Sequence, residues 1–501
     1  MDTTSRRVGV LTLLVTSLGS FMVLLDGSII FVALHEIQKD LGGQLSQLQW
    51  TVDAYTLPFA ALMLTAGTLG DRLGRKRVFL TGLVLFVLGS ALCGFAPEVD
   101  WLILGRVVQG IGAAAISTGS LSLLVSTFSK PAERAKAIGI WTAVSGVSIA
   151  LGPLLGGILI ESFNWQAIFF LNLPIGVLAL ALGVPRLIES KNPNARHIDL
   201  LGQVLVASGL FCLVLGLIQA GRDGWGSALI LSLLIGSVIL LGGFFVVVLR
   251  SREPLLPLEL FRNRTFATAC VIASLLGFVI VGVMFFMAQY FQAVQQHSAL
   301  ETGLRLLPLT LGIFFLSPPA SRIAGKAGPR IPIMVGALLT TAGFLLLTTI
   351  EPDSPFSSVW WKLALCGVGI GCMFAPLTLA VMASTPPQRA GLGSSMINTT
   401  RITGFTAGAA VLGTIVASNI DAGASAGPAT MRQAMVDAFH LVFYVCAGCA
   451  VVALIIAAAF MIRGRLPGPG QPPAGAGQAA DRPPVTTGDD DHAAAAVSAA
   501  Q

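Results

Sequence analysis

The stretch Gly67-Thr-Leu-Gly-Asp-Arg-Leu-Gly-Arg-Lys-Arg77 decides the fold, because it is a short polar segment between two long apolar ones. The preceding segment, Trp50–Leu69, is almost uncharged, and the following segment, Val78–Ala96, carries no charge. An apolar helix of about 20 residues spans the hydrocarbon core of a bilayer. The stretch is therefore predicted to be a tight turn between two membrane helices.

The turn combines cations, glycines and one acid. Its four cations predict a cytoplasmic position by the positive-inside rule, and its glycines allow close approach of the backbone. Asp71, beside an adjoining helix N-terminus and several cations, is a candidate electrostatic latch that could break and re-form. The alternative is an ordinary basic turn that only sets topology. The candidate latch residues are Gly67, Asp71, Arg72, Gly74, Arg75 and Lys76.

Composition predicts an all-α polytopic membrane protein. The 501 residues are 54% hydrophobic and 11% charged, whereas soluble domains contain about 25% charged residues. The net charge of +6 is scattered among short loops and predicts no nucleic-acid partner. The seven cysteines lie in apolar runs, so neither disulfides nor a metal site are expected. No phosphate-binding loop or soluble catalytic domain is present in the sequence, which argues against an ATP-driven pump or an enzyme.

Fourteen apolar segments predict fourteen transmembrane helices. Most of the 30 lysines and arginines fall in alternate connections, which predicts that both termini are cytoplasmic. The segments are Val8–Leu34, Trp50–Leu69, Val78–Ala96, Trp101–Leu124, Ala137–Ile160, Ala167–Val184, Leu200–Ala220, Ala228–Leu249, Phe266–Phe291, Gly303–Ser321, Ile331–Ile350, Val359–Ala383, Ile402–Ser418 and Phe439–Ile462.

A faint internal repeat predicts the domain organisation. Setting Gly74 on Gly328 aligns the first turn with Arg322–Arg330, and Asp71 then falls on Gly325, so the second turn keeps its cations and loses its acid. Two related halves are typical of transporters with parallel repeats. We expect six-helix bundles at 8–184 and 266–462, two inserted helices with cytoplasmic connections at 185–265, and a disordered tail at 463–501.

Three charged residues lie within or beside the membrane segments. Asp26 and Arg106 are costly at membrane depth and are candidate functional residues by default. At about 1.5 Å per residue, Asp26 lies ~27 Å along the first helix, which matches the depth of Asp53 near the outer end of the second helix. Both acids are predicted to line one cavity and to bind either a proton or a cation. The alternative for Asp53 is a helix-end residue facing lipid headgroups.

Two further features are candidates for substrate binding and conformational change. Met284 and Phe285 offer polarisable, adaptable pocket walls, although such residues also pack in cores or face lipid. In the fifth segment, glycines on one face allow close helix crossing, and a proline permits bending. These residues of the fifth segment are Gly146, Gly152, Pro153, Gly156 and Gly157.

Together these motifs resemble the major facilitator superfamily, and within it the fourteen-helix drug:proton antiporter family of bacterial multidrug exporters. The first turn resembles the signature loop, the stretch 102–115 resembles the fourth-helix motif whose arginine is linked to proton coupling, and Gly-Pro-x-x-Gly-Gly resembles the antiporter signature. The stretch 49–55 is similar to the branch that exports quaternary-ammonium compounds. Phe31, His35 and Gln166 depart from the family pattern.

The resemblance implies a proton-coupled antiporter that exports lipophilic cationic drugs from the bacterial cytoplasmic membrane. Its partners would be a small-molecule substrate, protons and the lipid bilayer; it would act as a monomer, need no cofactor and be driven by the proton gradient. One alternative is a dedicated exporter of a single antibiotic or metabolite made by the host. A second is a non-transporting sensor on the same scaffold, which the joint presence of Asp26, Asp53, Asp71 and Arg106 disfavours.

Overall fold

A computed structural model of the chain describes residues 3–42, 45–128, 131–191, 199–251, 258–385, 390–420 and 428–461. In these ranges all regular elements are helices, and a π-helical turn, Tyr290–Val294, extends α11. The predicted tail at 463–501 lies outside the described residues, so its disorder stays a prediction. The helices are α1 Thr3–Leu41, α2 Leu45–Leu73, α3 Arg75–Gly94, α4 Val99–Thr127, α5 Pro131–Ser162, α6 Ala167–Phe170, α7 Asn172–Arg186, α8 Leu200–Asp223, α9 Ala228–Arg250, α10 Leu258–Phe261, α11 Arg264–Gln289, α12 Ala299–Ala327, α13 Arg330–Leu347, α14 Phe356–Ala383, α15 Ala390–Ile420 and α16 Pro428–Phe460.

The helices confirm an all-α membrane architecture. Within the described ranges, eleven helices are long and apolar enough to cross a membrane, or twelve if the bent pair Gln47–Met63 and Thr65–Leu73 is one span. Two shorter apolar helices, Leu151–Ser162 and Leu200–Gly216, lie in α5 and α8. Each of the fourteen predicted segments overlaps a helix. The count of fourteen crossings, the cytoplasmic termini and the division into two bundles stay predictions.

Several helices extend well beyond their predicted apolar segments, among them α1 and α15. α1 continues to Leu41, and α15 begins at Ala390, twelve residues before the predicted start. The predicted apolar segments end at the first polar residues, whereas the helices continue through them. In α1 the ion pair between Lys39 Nζ and Glu36 Oε1, 2.8 Å apart at i,i+3, supports the extension. In α15 Ser395 is buried, so the polar start of the helix faces protein.

Glycines set the close packing of α3 on α4. A Cβ atom added at Gly89 would lie 2.9 Å from the carbonyl oxygen of Gly105, and one added at Gly112 would lie 2.7 Å from that of Gly82. Without side chains at these positions the two backbones approach directly, as in other membrane helix pairs rich in small residues. This contact places the residues that follow Gly105 deep inside the first half of the chain.

The pair α8–α9 lies between the two predicted bundles in sequence; its first helix, α8, packs across α2 and α15, and α9 packs on α8. Gln203 Nε2 donates a hydrogen bond of 2.8 Å to the carbonyl oxygen of Ala61, and the Thr65 hydroxyl donates to Gln203 Oε1. Val214 of α8 shares a buried apolar cluster with Leu57 of α2 and Ala410 of α15. α8 therefore covers the line along which α2 meets α15.

The helices before α8 contact those after α9 at the end predicted to be extracellular. Gln292 Nε2 donates 2.9 Å to the carbonyl oxygen of Val32, and the rings of Phe31 and Phe285 meet edge to face with centroids 6.3 Å apart. A buried hydrogen bond and an aromatic pair at this level bring the two sets of helices together there. The two sets of helices are therefore in direct contact at the predicted outer end.

Candidate functional site

Asp26 and Arg106, predicted as separate intramembrane charges, form one buried ion pair. Arg106 Nη1 donates to Asp26 Oδ2, and both side chains are 1% exposed. Asp26 comes from α1, and Arg106 is placed by the glycine-packed start of α4. A buried charge at membrane depth is tolerated when it is paired and hydrogen-bonded. The pair therefore explains how both charges persist.

Three polar partners complete the coordination of this ion pair. Gln109 Nε2 donates a hydrogen bond of 3.0 Å to Asp26 Oδ1, and Asn172 Nδ2 of α7 donates one of 2.9 Å to the same oxygen. Gln109 Nε2 also donates 2.8 Å to Ser90 Oγ of α3, and its Oε1 accepts 2.9 Å from Arg106 Nη1. We call Asp26, Ser90, Arg106, Gln109 and Asn172 the buried charge network. Sequence reasoning missed Gln109 and Asn172.

Arg106 is also held by α2. Its Nε donates 2.9 Å to the carbonyl oxygen of Thr51, and its guanidinium carbon lies 4.2 Å from the centroid of the Tyr55 ring. The Tyr55 hydroxyl in turn donates 2.9 Å to the carbonyl oxygen of Val23. Arg106 Nη2 is buried without a hydrogen-bond partner. Arg106 therefore joins α4 to both α1 and α2 through one buried side chain.

Asp53 lies on the other side of α2. It is fully buried, its Oδ1 accepts a long hydrogen bond of 3.5 Å from the Thr56 hydroxyl, and its Oδ2 has no partner. The Thr406 hydroxyl of α15 donates 2.7 Å to Thr56 Oγ1. Asp53 thus sits at the contact between α2 and α15, inside protein and not at the headgroup surface.

The structure does not bring Asp53 together with Asp26. Thr51 and Tyr55 face Arg106, and Asp53 lies midway between them in sequence. Two residues turn a helix by about 200°, so Asp53 points away from the charge network. The two acids occupy separate sites on opposite faces of α2, and the predicted common cavity is not formed in this structure.

The glycines of the predicted antiporter motif pack α5 against two other helices. A Cβ atom added at Gly152 would collide with Ser28 Oγ of α1, and one at Gly156 would lie 2.8 Å from Ile29 Cγ1. One at Gly157 would lie 2.6 Å from Leu300 Cα of α12, whereas Gly146 has only ordinary contact with Phe314. Pro153 touches Gly303 of α12 through its carbonyl oxygen. The motif therefore lies where α1, α5 and α12 meet.

The signature loop contains the predicted acid in an ion pair within the turn. Arg75 Nη2 and Nε donate 2.9 Å and 3.0 Å to Asp71 Oδ1. Gly74 adopts φ 118°, which favours glycine, and the side chain nearest to Gly67 is Ser395 of α15, with its Oγ 3.8 Å from an added Cβ. Arg72 is exposed. The predicted turn over 67–77 is shorter than expected, because α2 continues to Leu73 and α3 begins at Arg75, which leaves Gly74 alone between the two helices.

Glu189 is a further residue of this turn that sequence reasoning missed. It follows α7, and its Oε1 and Oε2 accept hydrogen bonds of 3.1 Å and 3.3 Å from the backbone nitrogens of Lys76 and Arg77. Its carboxylate carbon would lie 2.5 Å from a Cβ atom added at Gly74. An acid at a helix N-terminus is favourable because free backbone N–H groups and the helix dipole attract it. Lys76 Nζ also donates 2.8 Å to the carbonyl oxygen of Val184.

Met284 and Phe285 lie in packed surroundings in this structure. Both are buried in the main apolar cluster, and Phe285 contacts Phe31 across the two sets of helices. They meet the opposite half of the chain and do not line an open pocket here. Their role as substrate ligands stays a prediction.

The fold and the site together define a polytopic transport protein with buried charges at membrane depth. The family model described as Major Facilitator Superfamily matches residues 16–409. The chain belongs to this superfamily. It is therefore a multi-pass membrane transporter of small molecules and not an enzyme.

Two relatives are similar over most of their length. The multidrug resistance protein Stp of Mycobacterium tuberculosis (strain CDC 1551 / Oshkosh) is 37% identical over 416 residues, which cover 83% of this chain and 77% of the relative. The tetracenomycin C resistance and export protein of Streptomyces glaucescens is 37% identical over 413 residues, which cover 82% and 76%.

A solved structure supports the fold. The bacterial homologue of the human lysosomal transporter Spinster, in an inward-facing and unoccupied conformation, superposes with a TM-score of 0.60 at 17% identity. The match covers 92% of this chain and 96% of that one. At this level of identity the likeness concerns the arrangement of helices alone.

Proposed function

We propose that the chain is a proton-coupled antiporter that exports lipophilic cationic drugs by alternating access. The proton gradient drives it, and no cofactor takes part. The observation that carries the proposal is Asp53, a fully buried carboxylate with one unpartnered oxygen at the contact between α2 and α15. The names of the relatives, a multidrug resistance protein and a resistance and export protein, support drug export.

The chemistry of Asp53 suits exchange between a proton and a cation. A buried carboxylate with a single long hydrogen bond is unfavourable, so the site is stabilised either by protonation or by a bound cation. A cationic drug arriving from inside displaces the proton, and a proton entering from outside displaces the drug. The site lies on α2 where α15 packs against it, so its occupancy can bias how the two helices meet.

The buried charge network supplies a second protonation site on the other face of α2. A proton on Asp26 cancels the attraction to Arg106, while Gln109 and Asn172 keep hydrogen-bonding partners in either state. Arg106 contacts Thr51 and Tyr55 of α2, so its release changes the same helix that carries Asp53. We assign proton coupling to Asp26, Arg106 and Asp53 together.

The proposal is tested by proton release from the detergent-purified chain when tetraphenylphosphonium is added. Wild type should release protons, and Asp53→Asn and Asp26→Asn should each release fewer. Asp353→Asn, which changes an exposed acid paired with Arg432, is the matched control and should behave as wild type. Unchanged release from Asp26→Asn would refute the exchange mechanism; unchanged release from Asp53→Asn alone would confine it to one site.

A dedicated exporter is the second candidate, since one relative is named for a single antibiotic. Efflux of several unrelated cationic dyes from cells that lack their own pumps distinguishes the two. Broad efflux that stops when an uncoupler is added supports the multidrug antiporter. Export of one compound only supports the dedicated exporter, and absence of any efflux supports a sensor.

A further inference from the structure

Arg401 is a second arginine at membrane depth, and neither proton site includes it. It lies on α15, eleven residues after Ala390, or about 16 Å along the helix at ~1.5 Å per residue. The apolar helix Ser395–Ser418 surrounds it on both sides in sequence. A cation at this depth needs a partner, a polar cavity or both.

The surroundings of Arg401 contain an aromatic ring and an amide. Its guanidinium carbon lies 4.1 Å from the centroid of the Phe374 ring on α14, and its Nη2 donates to Asn398 Oδ1 one turn earlier. No carboxylate among the residues that the structure describes lies within ion-pair distance of it, in contrast to Arg106. The side chain is partly exposed. The charge of Arg401 is therefore not neutralised by the protein around it.

This arrangement prepares the guanidinium to bind an anion. Stacking on Phe374 fixes the plane of the guanidinium, and Asn398 takes only one of its five N–H groups. The remaining N–H groups form a rigid fork that matches the two oxygens of a carboxylate or a sulfonate. An anion placed there would also remove the cost of the unpaired cation.

We propose that Arg401 binds the anionic group of transported substrates, so that the exporter accepts lipophilic carboxylates and sulfonates, and zwitterions as well as cations. The inference rests on the proposed transport function. Thr406, which bonds to Thr56 beside Asp53, follows Arg401 by five residues, or about 7.5 Å along α15. A cation-accepting acid and an anion-accepting arginine thus lie on adjoining helices.

The competing explanation makes Arg401 a counter-ion for Asp53 in another conformation of the transporter. The two explanations differ in how substrates respond to a change at Arg401. If Arg401 is a counter-ion, its replacement should affect every substrate equally, since all substrates depend on the same conformational change. If Arg401 is a substrate ligand, its replacement should weaken binding of anionic substrates and leave binding of cationic ones unchanged.

The test uses two fluorescent probes with the same apolar body and opposite charge, pyrenebutyrate and pyrenebutyl-trimethylammonium. Binding of each to the detergent-purified full chain is measured by fluorescence titration. Arg401→Gln should weaken pyrenebutyrate binding about tenfold or more, since it removes charge-assisted hydrogen bonds. It should change binding of the cationic probe by no more than about twofold, because that probe does not depend on such bonds.

Two further variants separate the role of the guanidinium from that of positive charge and from the loss of any arginine. Arg401→Lys keeps the charge without the fork and should retain part of the pyrenebutyrate binding, with a thermal midpoint near that of wild type. Arg432→Gln, which changes a partly exposed arginine paired with Asp353, should leave both titrations unchanged. Elution as a single species on gel filtration confirms that each variant is folded.

The outcomes separate this inference from the proposed function. Binding of the cationic probe with no binding of pyrenebutyrate by wild type would overturn the inference and leave the proposed function in place. Equal loss of binding of both probes by Arg401→Gln would overturn the inference and support the counter-ion explanation. If wild type binds neither probe, the inference and the cationic substrate class both fail.

Discussion

The α2–α3 turn and the α12–α13 turn share a backbone conformation and differ in their charges. Gly74 and Gly328 have φ of 118° and 96°, each at the junction between two antiparallel helices. In the first turn Asp71 pairs with Arg75 and Glu189 caps α3, whereas Gly325 of the second turn has nothing within 4 Å of an added Cβ. The turn itself needs only the glycine. The acids of the first turn therefore serve another purpose than making the bend.

The two arginines at membrane depth repeat this contrast. Arg106 of the first half is surrounded by Asp26, Gln109 and the carbonyl oxygen of Thr51, whereas Arg401 of the second half meets a ring and an amide. Arg106 is matched by an acid inside the protein, whereas the charge of Arg401 is left available. In the proposed mechanism, Asp26 and Arg106 therefore respond to protonation, and Arg401 contacts the anionic group of the substrate.

The largest expected effect is the loss of efflux when Arg106 is replaced, which tests the contrast between the two arginines. Arg106→Ala leaves the Asp26 carboxylate buried and unpaired, a loss of about 3–5 kcal/mol in comparable sites. We expect uncoupler-sensitive dye efflux to be abolished, and Arg106→Lys to keep a fraction because it preserves charge but not the planar fork. Efflux from cells expressing equal amounts of each variant is the measurement, with Arg432→Ala as the control. Wild-type efflux from the alanine variant would contradict the role of the network.

An intermediate effect is expected on the free energy of unfolding when glycines of the two turns are replaced by alanine. Gly74→Ala forces a side chain into a conformation that favours glycine and against the Glu189 carboxylate, and should lower the free energy of unfolding by about 1–3 kcal/mol. Gly325→Ala, in an open position within α12, should raise it by about 0.5–1 kcal/mol. Thermal unfolding of the purified variants in one detergent measures both. An unchanged midpoint in Gly74→Ala would contradict the strain and the Glu189 contact at that glycine, and a lowered midpoint in Gly325→Ala would contradict its open position.

The smallest expected effect on the folded protein concerns Asp71. Asp71→Asn removes the charge that Arg75 holds in a partly exposed pair, and such pairs contribute only about 0–1 kcal/mol to stability. We therefore expect near-normal expression and insertion with impaired efflux, as a latch that acts during conformational change requires. Asp353→Asn, which breaks another exposed pair, should leave efflux intact. Full efflux by Asp71→Asn would mean that the loop only sets topology.

The sequence predicted the residues whose chemistry is unusual for their position. Asp26 and Arg106 are charged within apolar runs, and Asp71 is an acid within a basic turn, so each stands out without any knowledge of neighbours. Helix positions followed from apolar length, because a bilayer requires it. The same criterion ended α1 and began α15 at the wrong residues, since polar side chains that face protein do not end a helix.

The side chains that hydrogen-bond these charged residues could not be predicted in the same way. Gln109, Asn172 and Ser90 come from three helices, and nothing in their local sequence distinguishes them from ordinary polar residues. Glu189 lies in a charged connection where an acid is unremarkable, and only the folded chain brings it to α3. The prediction that Asp26 and Asp53 share a cavity considered depth but not helix rotation, and rotation separates them.

The anchoring of the inserted pair by Gln203 has a mechanical consequence. Hydrogen bonds are directional and short, so the two bonds between Gln203 and α2 resist sliding, whereas the apolar contact of Val214 with Ala410 has no preferred register. The two hydrogen bonds therefore fix the position of α8 along α2, whereas the apolar contact leaves its position along α15 free to change. A movement between α2 and α15 would carry α8 with α2.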